Sequence, residues 1–255
     1  ATILDHTGKM QLAFEKSKVT EEKYNFFKKM IDIGDFIGCK GSIFKTNTGE
    51  ITLLVEDFQL LGKSLRPLPE KWHGITDVEL TYRQRYLDLV MNEDTFKRFR
   101  IRSKAIQTIR DFLIQNGFEE VDTPVLQTKP SGALAKPFIT KHNAFNMDVY
   151  LRIAPETYLK RCIVGGFEKV FEFARSFRNE GIDPSHLQDF TLLEYYCAYW
   201  NYEDNMKFTR KLIQYVISTL FTSNKIKYQD QEIDFSGDWP VVSFQDCIKN
   251  ATGID

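Results

Sequence analysis

The stretch Val170-Phe171-Glu172-Phe173-Ala174-Arg175-Ser176-Phe177-Arg178-Asn179-Glu180, answered by Phe190-Thr191-Leu192-Leu193-Glu194-Tyr195-Tyr196, decides the fold class. A strand turns successive side chains to opposite faces, so Phe171, Phe173 and Phe177 share one face while Glu172, Ala174, Ser176, Arg178 and Glu180 share the other. The aromatic face is expected to pack. On the second face Ala174 and Ser176 leave space between charges, which suits a phosphate-bearing ligand on the sheet or a salt-bridged surface in solvent. An arginine such as Arg178 forks onto phosphate oxygens in a way that lysine does not. The second run puts Phe190, Glu194 and Tyr196 on a common side. A carboxylate among apolar neighbours requires a cation. For Glu194 that is either an internal arginine, making it structural, or the ammonium or guanidinium of a ligand. Phe190 serves either the core or a stacked base. Between the runs, Gly181-Ile182-Asp183-Pro184-Ser185-His186-Leu187-Gln188-Asp189 is a polar hairpin loop, with His186 either exposed or at a phosphate.

Working upstream, Leu151-Arg152-Ile153-Ala154-Pro155-Glu156 closes a strand over Val149 to Ile153 and opens a helix. Pro155 suits the first helical position, and helix capping alone accounts for Glu156. Thr95 to Asn116 reads as a long helix ended by Gly117, and Phe118 to Asp122 as a strand ended at Thr123-Pro124. Downstream, Tyr202 to Phe221 is predicted helical, capped by Asn201 with Asp204 at the third position, and Met206, Thr209, Ile213, Val216 and Leu220 form its apolar stripe. The basic run from Arg83 to Arg110 reads as a solvated helix face or as a contact surface for nucleic acid or a subunit. This part is therefore a mixed domain of long strands and packed helices.

The first 62 residues read differently. Ala1 to Leu4 and Lys9 to Phe14 flank a turn, Val19 to Ile31 is helical through Tyr24, Phe27 and Ile31, and Phe36 to Phe44 and Glu50 to Val55 flank Thr46-Asn47-Thr48-Gly49. About four strands and a helix fit an oligonucleotide-binding barrel lacking one of its five strands, or a plain antiparallel domain. Two prolines in Gly62-Lys63-Ser64-Leu65-Arg66-Pro67-Leu68-Pro69 mark a linker. The expected division is 1–62, linker 63–80, and 81–255. Across 255 residues, 34 basic and 35 acidic residues nearly cancel, which excludes strongly basic, histone-like binding. Four scattered cysteines argue against a disulfide scaffold or cysteine zinc site. No run approaches a membrane span and no basic-then-apolar leader opens the chain, so a soluble, cytoplasmic protein is expected. The start without methionine and the stop after a helical pattern suggest missing flanks.

Ordered blocks across nearly the whole chain resemble a class II lysyl-tRNA synthetase. They are Arg66-Pro67-Leu68-Pro69 with Lys71-Trp72-His73-Gly74, Tyr82-Arg83-Gln84-Arg85-Tyr86-Leu87-Asp88-Leu89, Gly117 to Pro124, and Lys136-Pro137-Phe138-Ile139-Thr140. Leu151 to Glu156, Gly165-Gly166-Phe167-Glu168 and Phe177 to Ile182 complete them. The resemblance implies an all-β N-terminal OB-fold barrel for the tRNA anticodon. It implies next an α+β class II catalytic domain, an antiparallel sheet flanked by helices, incomplete at both ends. It further implies a lysine–tRNA ligase that joins L-lysine to ATP and then to tRNA(Lys), and a homodimer through the 96–124 region, which resembles the family's first motif.

By the same resemblance Arg178 binds the α-phosphate and the reacting carboxylate, Glu180 the adenine amino group, His186 the outer phosphates, and Phe190 stacks on adenine. Gly132 borders the amino-acid pocket, Glu156 and Glu194 bind the lysine amino groups, and Tyr196 defines the side-chain end. Carboxylates on a pocket wall offset the desolvation of two ammonium groups and reject neutral competitors. Related aspartyl and asparaginyl ligases share the architecture, and these carboxylates disfavour an acidic substrate. The sequence departs from the family at Leu187 and Asp189 in the loop, at Ala174 and Ser176 on the strand, and at Ser131 beside Gly132, changes expected to retune the site. The third motif, the Mg2+ ligands and a further lysine-binding carboxylate are expected beyond Asp255, so this span alone is expected to be inactive. The alternative is a catalytically inactive tRNA-binding or regulatory module.

Overall fold

The computed structural model describes residues 1–66, 68, 75, 77–183 and 185–254. Pro67, Pro69 and the Lys71 to Gly74 block of the expected linker lie outside the described residues, as does Pro184 of the loop. The chain divides into two compact units, Ala1–Lys97 and Arg98–Asp255.

In the first unit β1 (Thr2–Asp5) and β2 (Gly8–Phe14) form the expected hairpin, followed by α1 (Glu21–Met30), β3 (Phe36–Lys45) and β4 (Ile51–Gly62). The strands make one sheet in the order β1-β2-β4-β3, in which β2 and β4 run parallel. Four strands are thus present as expected, but among the described residues β1 and β3 remain its two edges and no barrel closes. Thr20 caps α1 by accepting from the Lys23 amide at 3.3 Å, and the Tyr24, Phe27, Ile31 stripe packs on Leu12, Val19, Val55 and Phe58. Phe14 and Phe27 stack with centroids 3.8 Å apart. β3 bulges at Lys40/Gly41, where a Cβ on Gly41 would collide with the Leu54 carbonyl oxygen. The unit ends with α2 (Val78–Arg83), α3 (Arg85–Met91) and the start of α4 (Glu93–Gln115). Asp88, only 2% exposed, gathers Arg85, Asn92 and Thr95 and fastens α3 to α4.

In the second unit come the rest of α4, β5 (Glu119–Glu120), β6 (Leu126–Gln127), β7 (Ile139–His142), β8 (Met147–Leu151), α5 (Glu156–Val164), β9 (Lys169–Phe177) and β10 (Asp189–Cys197). They are followed by α6 (Tyr202–Leu220), β11 (Lys225–Tyr228), β12 (Gln231–Asp234) and α7 (Phe244–Thr252). Gly117 ends α4 with φ +80°, as expected. β10, β9 and β5 form one sheet, with β10 antiparallel and β5 parallel to β9, so the sheet is not purely antiparallel. The strand expected over 118–122 shrinks to two residues, because only Glu119 and Glu120 meet Val170 and Phe171. Pro155 stands at the cap position, one residue earlier than expected.

The core is aromatic. Phe112, Leu113, Phe118, Phe171, Phe208 and Leu212 form one buried cluster, against which Phe173, Leu193, Tyr195 and Trp200 pack. Asn201 caps α6 as expected, and Asp204 at the third position answers it to complete a capping box. The expected stripe is corrected in part: Val216 packs on the core, but Phe208 and Leu212 are the buried positions while Met206 is 45% exposed. The true stripe is rotated toward Phe208, Leu212 and Tyr215 because Phe112, Phe118 and Trp200 offer aromatic partners on that side.

Candidate active site

β9 and β10 pair without a break from Phe177↔Asp189 to Lys169↔Cys197, which fixes what shares a face. Ser176 stands opposite Phe190, Ala174 opposite Leu192, Glu172 opposite Glu194 and Val170 opposite Tyr196. Opposed residues of an antiparallel pair point the same way, so the expected grouping of Phe190, Glu194 and Tyr196 is present. α5 lies over one end of this face, with the Lys160 Nζ 5.8 Å from the Tyr196 ring centroid. Glu172, Ala174 and Ser176 are all buried.

Glu172 is buried because it has an internal cation. Arg152 Nη1 donates to its Oε1 at 2.5 Å and the Thr123 hydroxyl donates to its Oε2 at 2.6 Å. Arg152 also donates to the Thr123 carbonyl at 2.9 Å and, through Nε, to the Arg175 carbonyl at 2.8 Å. Its own carbonyl accepts from the Phe177 amide at 2.9 Å. One guanidinium thus joins the segment after β5 to β9 beneath the site. Sequence reasoning missed this role, although an arginine inside the apolar run Leu151 to Pro155 was the available signal.

Glu194 has no such partner. It is half-buried, accepts from the Tyr196 hydroxyl at 3.1 Å, and makes no ion pair among the described residues. Burial holds its carboxyl above the ordinary 4.5; the nearby Glu156 pushes the same way, while the Tyr196 hydrogen bond and the charge of Lys160 pull back. The Tyr196 phenol is pushed up by burial and by the same two carboxylates. Of the two readings left open for Glu194, the internal arginine is therefore found on Glu172 instead.

Glu156 opens α5, and its Oε1 lies 2.6 Å from Lys160 Nζ one turn on. Gly132 backs it closely: φ is +90°, and a Cβ there would lie 3.1 Å from the Cβ atoms of both Ala154 and Glu156. At the other end of the face the Arg178 guanidinium carbon sits 5.1 Å from the Phe190 ring centroid. Two buried polar atoms here, Arg178 Nε and Ser176 Oγ, have no hydrogen-bond partner among the described residues. The loop is held at its base: Asn179 N donates to the Lys136 carbonyl at 2.7 Å, Lys136 N donates to Glu180 Oε1 at 3.2 Å, and Gln188 Nε2 donates to the Glu180 carbonyl at 3.1 Å. His186 is exposed, its Nδ1 2.7 Å from Asp183 Oδ2. The Ser185 amide and then His186 hold the Asp183 carboxyl below its ordinary range. Asp189 turns to the opposite face, 3.6 Å from Arg175.

The described residues contain no group of three His, Cys, Asp or Glu side chains arranged to hold a metal ion. An open surface pocket of about 310 Å³ between α6 and the segment after β12, lined by Gln214, Tyr215, Ser218, Asn224 and Phe235, contains none of the expected site residues.

The face thus carries Arg178 and Phe190 at one end and, at the other, Glu156, paired with Lys160, and Glu194, which has no ion pair among the described residues. Residues 77–255 match the tRNA synthetases of class II (D, K and N), and residues 1–61 match the OB-fold nucleic acid binding domain. The chain belongs to the class II tRNA synthetase family, with an N-terminal OB-fold domain before its catalytic domain. Among its relatives, it is 51% identical to the lysine–tRNA ligase of Thermosipho melanesiensis over 253 residues, 99% of this chain and 50% of that protein. It is 53% identical to that of Fervidobacterium nodosum (99% of this chain, 49% of that protein) and 52% identical to that of Pelotomaculum thermopropionicum (100% and 50%). The chain spans about half the length of these relatives.

Proposed function

We propose that this chain forms the anticodon-binding region and part of the catalytic region of an ATP-dependent lysine–tRNA ligase, divided as 1–62, linker 63–80 and 81–255. The observation that carries this reading is Glu194, a half-buried carboxylate without an ion-pair partner beside Tyr196 and Glu156. Such a group is matched by an ammonium ligand. Glu156, Glu194, Tyr196 and Gly132 form the lysine pocket, and Arg178, Glu180, His186 and Phe190 receive ATP. The names of the relatives point the same way.

In the proposed reaction a lysine carboxylate oxygen attacks the α-phosphorus, the bond to the β-phosphate bridging oxygen breaks, and pyrophosphate leaves with that electron pair. A hydroxyl at the 3′ end of tRNA(Lys) then attacks the carbonyl of the adenylate and releases AMP. No side chain acts as nucleophile. Arg178, with its unpartnered Nε, neutralises developing charge and aligns the two reactants. Mg2+ accompanies ATP in this reading, but the carboxylates here do not fit a metal site. Glu172 is taken by Arg152, Glu156 by Lys160 and Asp183 by His186. No step is routed through the ion.

The cytoplasm is the proposed location, in keeping with four free thiols. A homodimer through 96–124 is proposed on the exposed Ile101 and Ile114 of α4, and concentration-dependent sedimentation of the full-length protein tests it. The activity is tested by lysine-dependent pyrophosphate exchange and tRNA charging with the full-length protein. Exchange that requires lysine and not aspartate or asparagine is expected; none with lysine would end the proposal.

A further inference from the structure

Lys160 is the cation that the groups assigned to the substrate already share. Its Nζ lies 2.6 Å from Glu156 Oε1, an i,i+4 pair in the favourable order of glutamate before lysine. The same ammonium stands 5.8 Å from the Tyr196 ring centroid, within cation–π reach. Its charge is also felt at the Glu194 carboxyl. A lysine substrate carries the chemistry that Lys160 carries, a primary ammonium on a flexible stem.

Resting on the reading of this pocket as a lysine site, we propose that Lys160 is its resident counter-ion, displaced from Glu156 and Tyr196 by the ammonium of the incoming amino acid. Two ammonium groups cannot share one carboxylate and one ring face without repelling each other. Lys160 is suited to leaving, since its side chain is 58% exposed and its four-carbon stem can swing the charge into water. While the pocket is empty it offsets the charge of Glu156. When a ligand arrives it sets a threshold that only a cation gaining both glutamates and the tyrosine overcomes. It is thus a specificity-determining residue that does not touch the reacting atoms.

The test is calorimetry on the full-length protein with L-lysine and with pentane-1,5-diamine, a probe that has both ammonium groups and no carboxylate. Lys160→Met should tighten both ligands by roughly two- to fivefold, the scale of an exposed ion pair. Lys160→Arg, which keeps the charge, should restore wild-type affinity. In a Glu156→Gln background Lys160→Met should change nothing, because the seat has lost its charge. An unchanged affinity in Lys160→Met would reduce the pair to a helix-face salt bridge and overturn the proposal. So would weakened L-lysine with unchanged diamine, which would mean that Lys160 holds the substrate carboxylate. Wild-type pyrophosphate exchange, run in parallel, reports separately on the function itself: if it is present while the variants show no tightening, this inference alone fails.

Discussion

The two faces of the β9–β10 pair are built from the same nine-residue ladder and end in opposite states. On the α6 side Phe171, Leu193 and Tyr195 meet Phe112, Phe118, Phe208 and Leu212, and the Tyr195 hydroxyl reaches Asn205 at 2.5 Å and Thr209 at 2.7 Å. On the α5 side Ser176 Oγ and Arg178 Nε are buried without partners among the described residues, and Glu194 is held above its ordinary range. A face that only packs satisfies its polar groups, whereas a face that binds leaves some unsatisfied for a ligand to complete. Glu172 and Glu194, directly opposed on that second face, reduce the contrast to two carboxylates. The sharpest way to break it is Glu172→Gln, which strands the Arg152 charge, itself only 3% exposed, in the interior. Removing one partner of a buried pair costs about 3–5 kcal/mol, a large share of a domain's stability. Urea denaturation of the full-length protein should show that loss, and replacing Arg152 by Met should do the same.

Glu194→Gln should act in the other direction on stability. Its folded pKa is raised, so the protonated form favours folding below the ordinary 4.5 and ionisation costs stability as pH rises through the folded value. The glutamine variant, fixed neutral, should therefore melt higher than wild type near neutral pH, with the difference vanishing in acid. Lysine binding should weaken about ten- to hundredfold, the scale of a charge-assisted hydrogen bond, while ATP binding changes little. Arg178→Lys should reverse that pattern, because a compact ammonium does not fork across phosphate oxygens. A variant that melts lower and binds lysine normally would put Glu194 in the same class as Glu172.

That these two glutamates differ was not legible from period two, which assigns faces and says nothing of what lies across them. Alternation did place Phe190, Glu194 and Tyr196 together, and the Asn201/Asp204 box was readable because caps are local. The Arg152–Glu172 pair joins residues 20 apart in sequence through tertiary packing, and no local pattern encodes it. The same holds for the parallel pairing of β2 with β4 and for the two-residue strands β5 and β6, which exist only through their partners. The α6 stripe was misplaced because Met206 and Phe208 are equally apolar on paper and only Phe112, Phe118 and Trp200 choose between them. Gly132 was placed at the amino-acid pocket by resemblance alone: a glycine flanked by Ser131 and Ala133 signals a loop, not a close approach to Glu156.

Gly132→Ala is the next smaller effect. An L residue at φ +90° is strained by about 1–2 kcal/mol, and the new Cβ sits 3.1 Å from the Glu156 Cβ, which must give way. Melting temperature should fall and lysine affinity should drop severalfold, with ATP affinity holding. If ATP affinity fell equally, the glycine would support the whole face and not the amino-acid end.

Tyr196→Phe is the finest probe of the contrast, because it leaves both carboxylates and removes a single hydroxyl. The hydroxyl donates to Glu194 Oε2 at 3.1 Å and works against burial to keep that carboxyl ionised. Without it the Glu194 pKa should rise further, so the variant needs a higher pH to present the same charge. At alkaline pH, where Glu194 is ionised in both proteins, the loss is that of one hydrogen bond on a half-buried group, about 1 kcal/mol or roughly fivefold in lysine affinity. As pH falls toward the raised Glu194 pKa the gap should widen, because protonation removes the charge from the variant first. Glu172, tied to Arg152 and Thr123 and not to this tyrosine, should be untouched, so the urea transition should barely move. A lysine affinity that falls by the same factor at every pH would mean that the ring and its hydroxyl meet the ligand directly and do not act through Glu194.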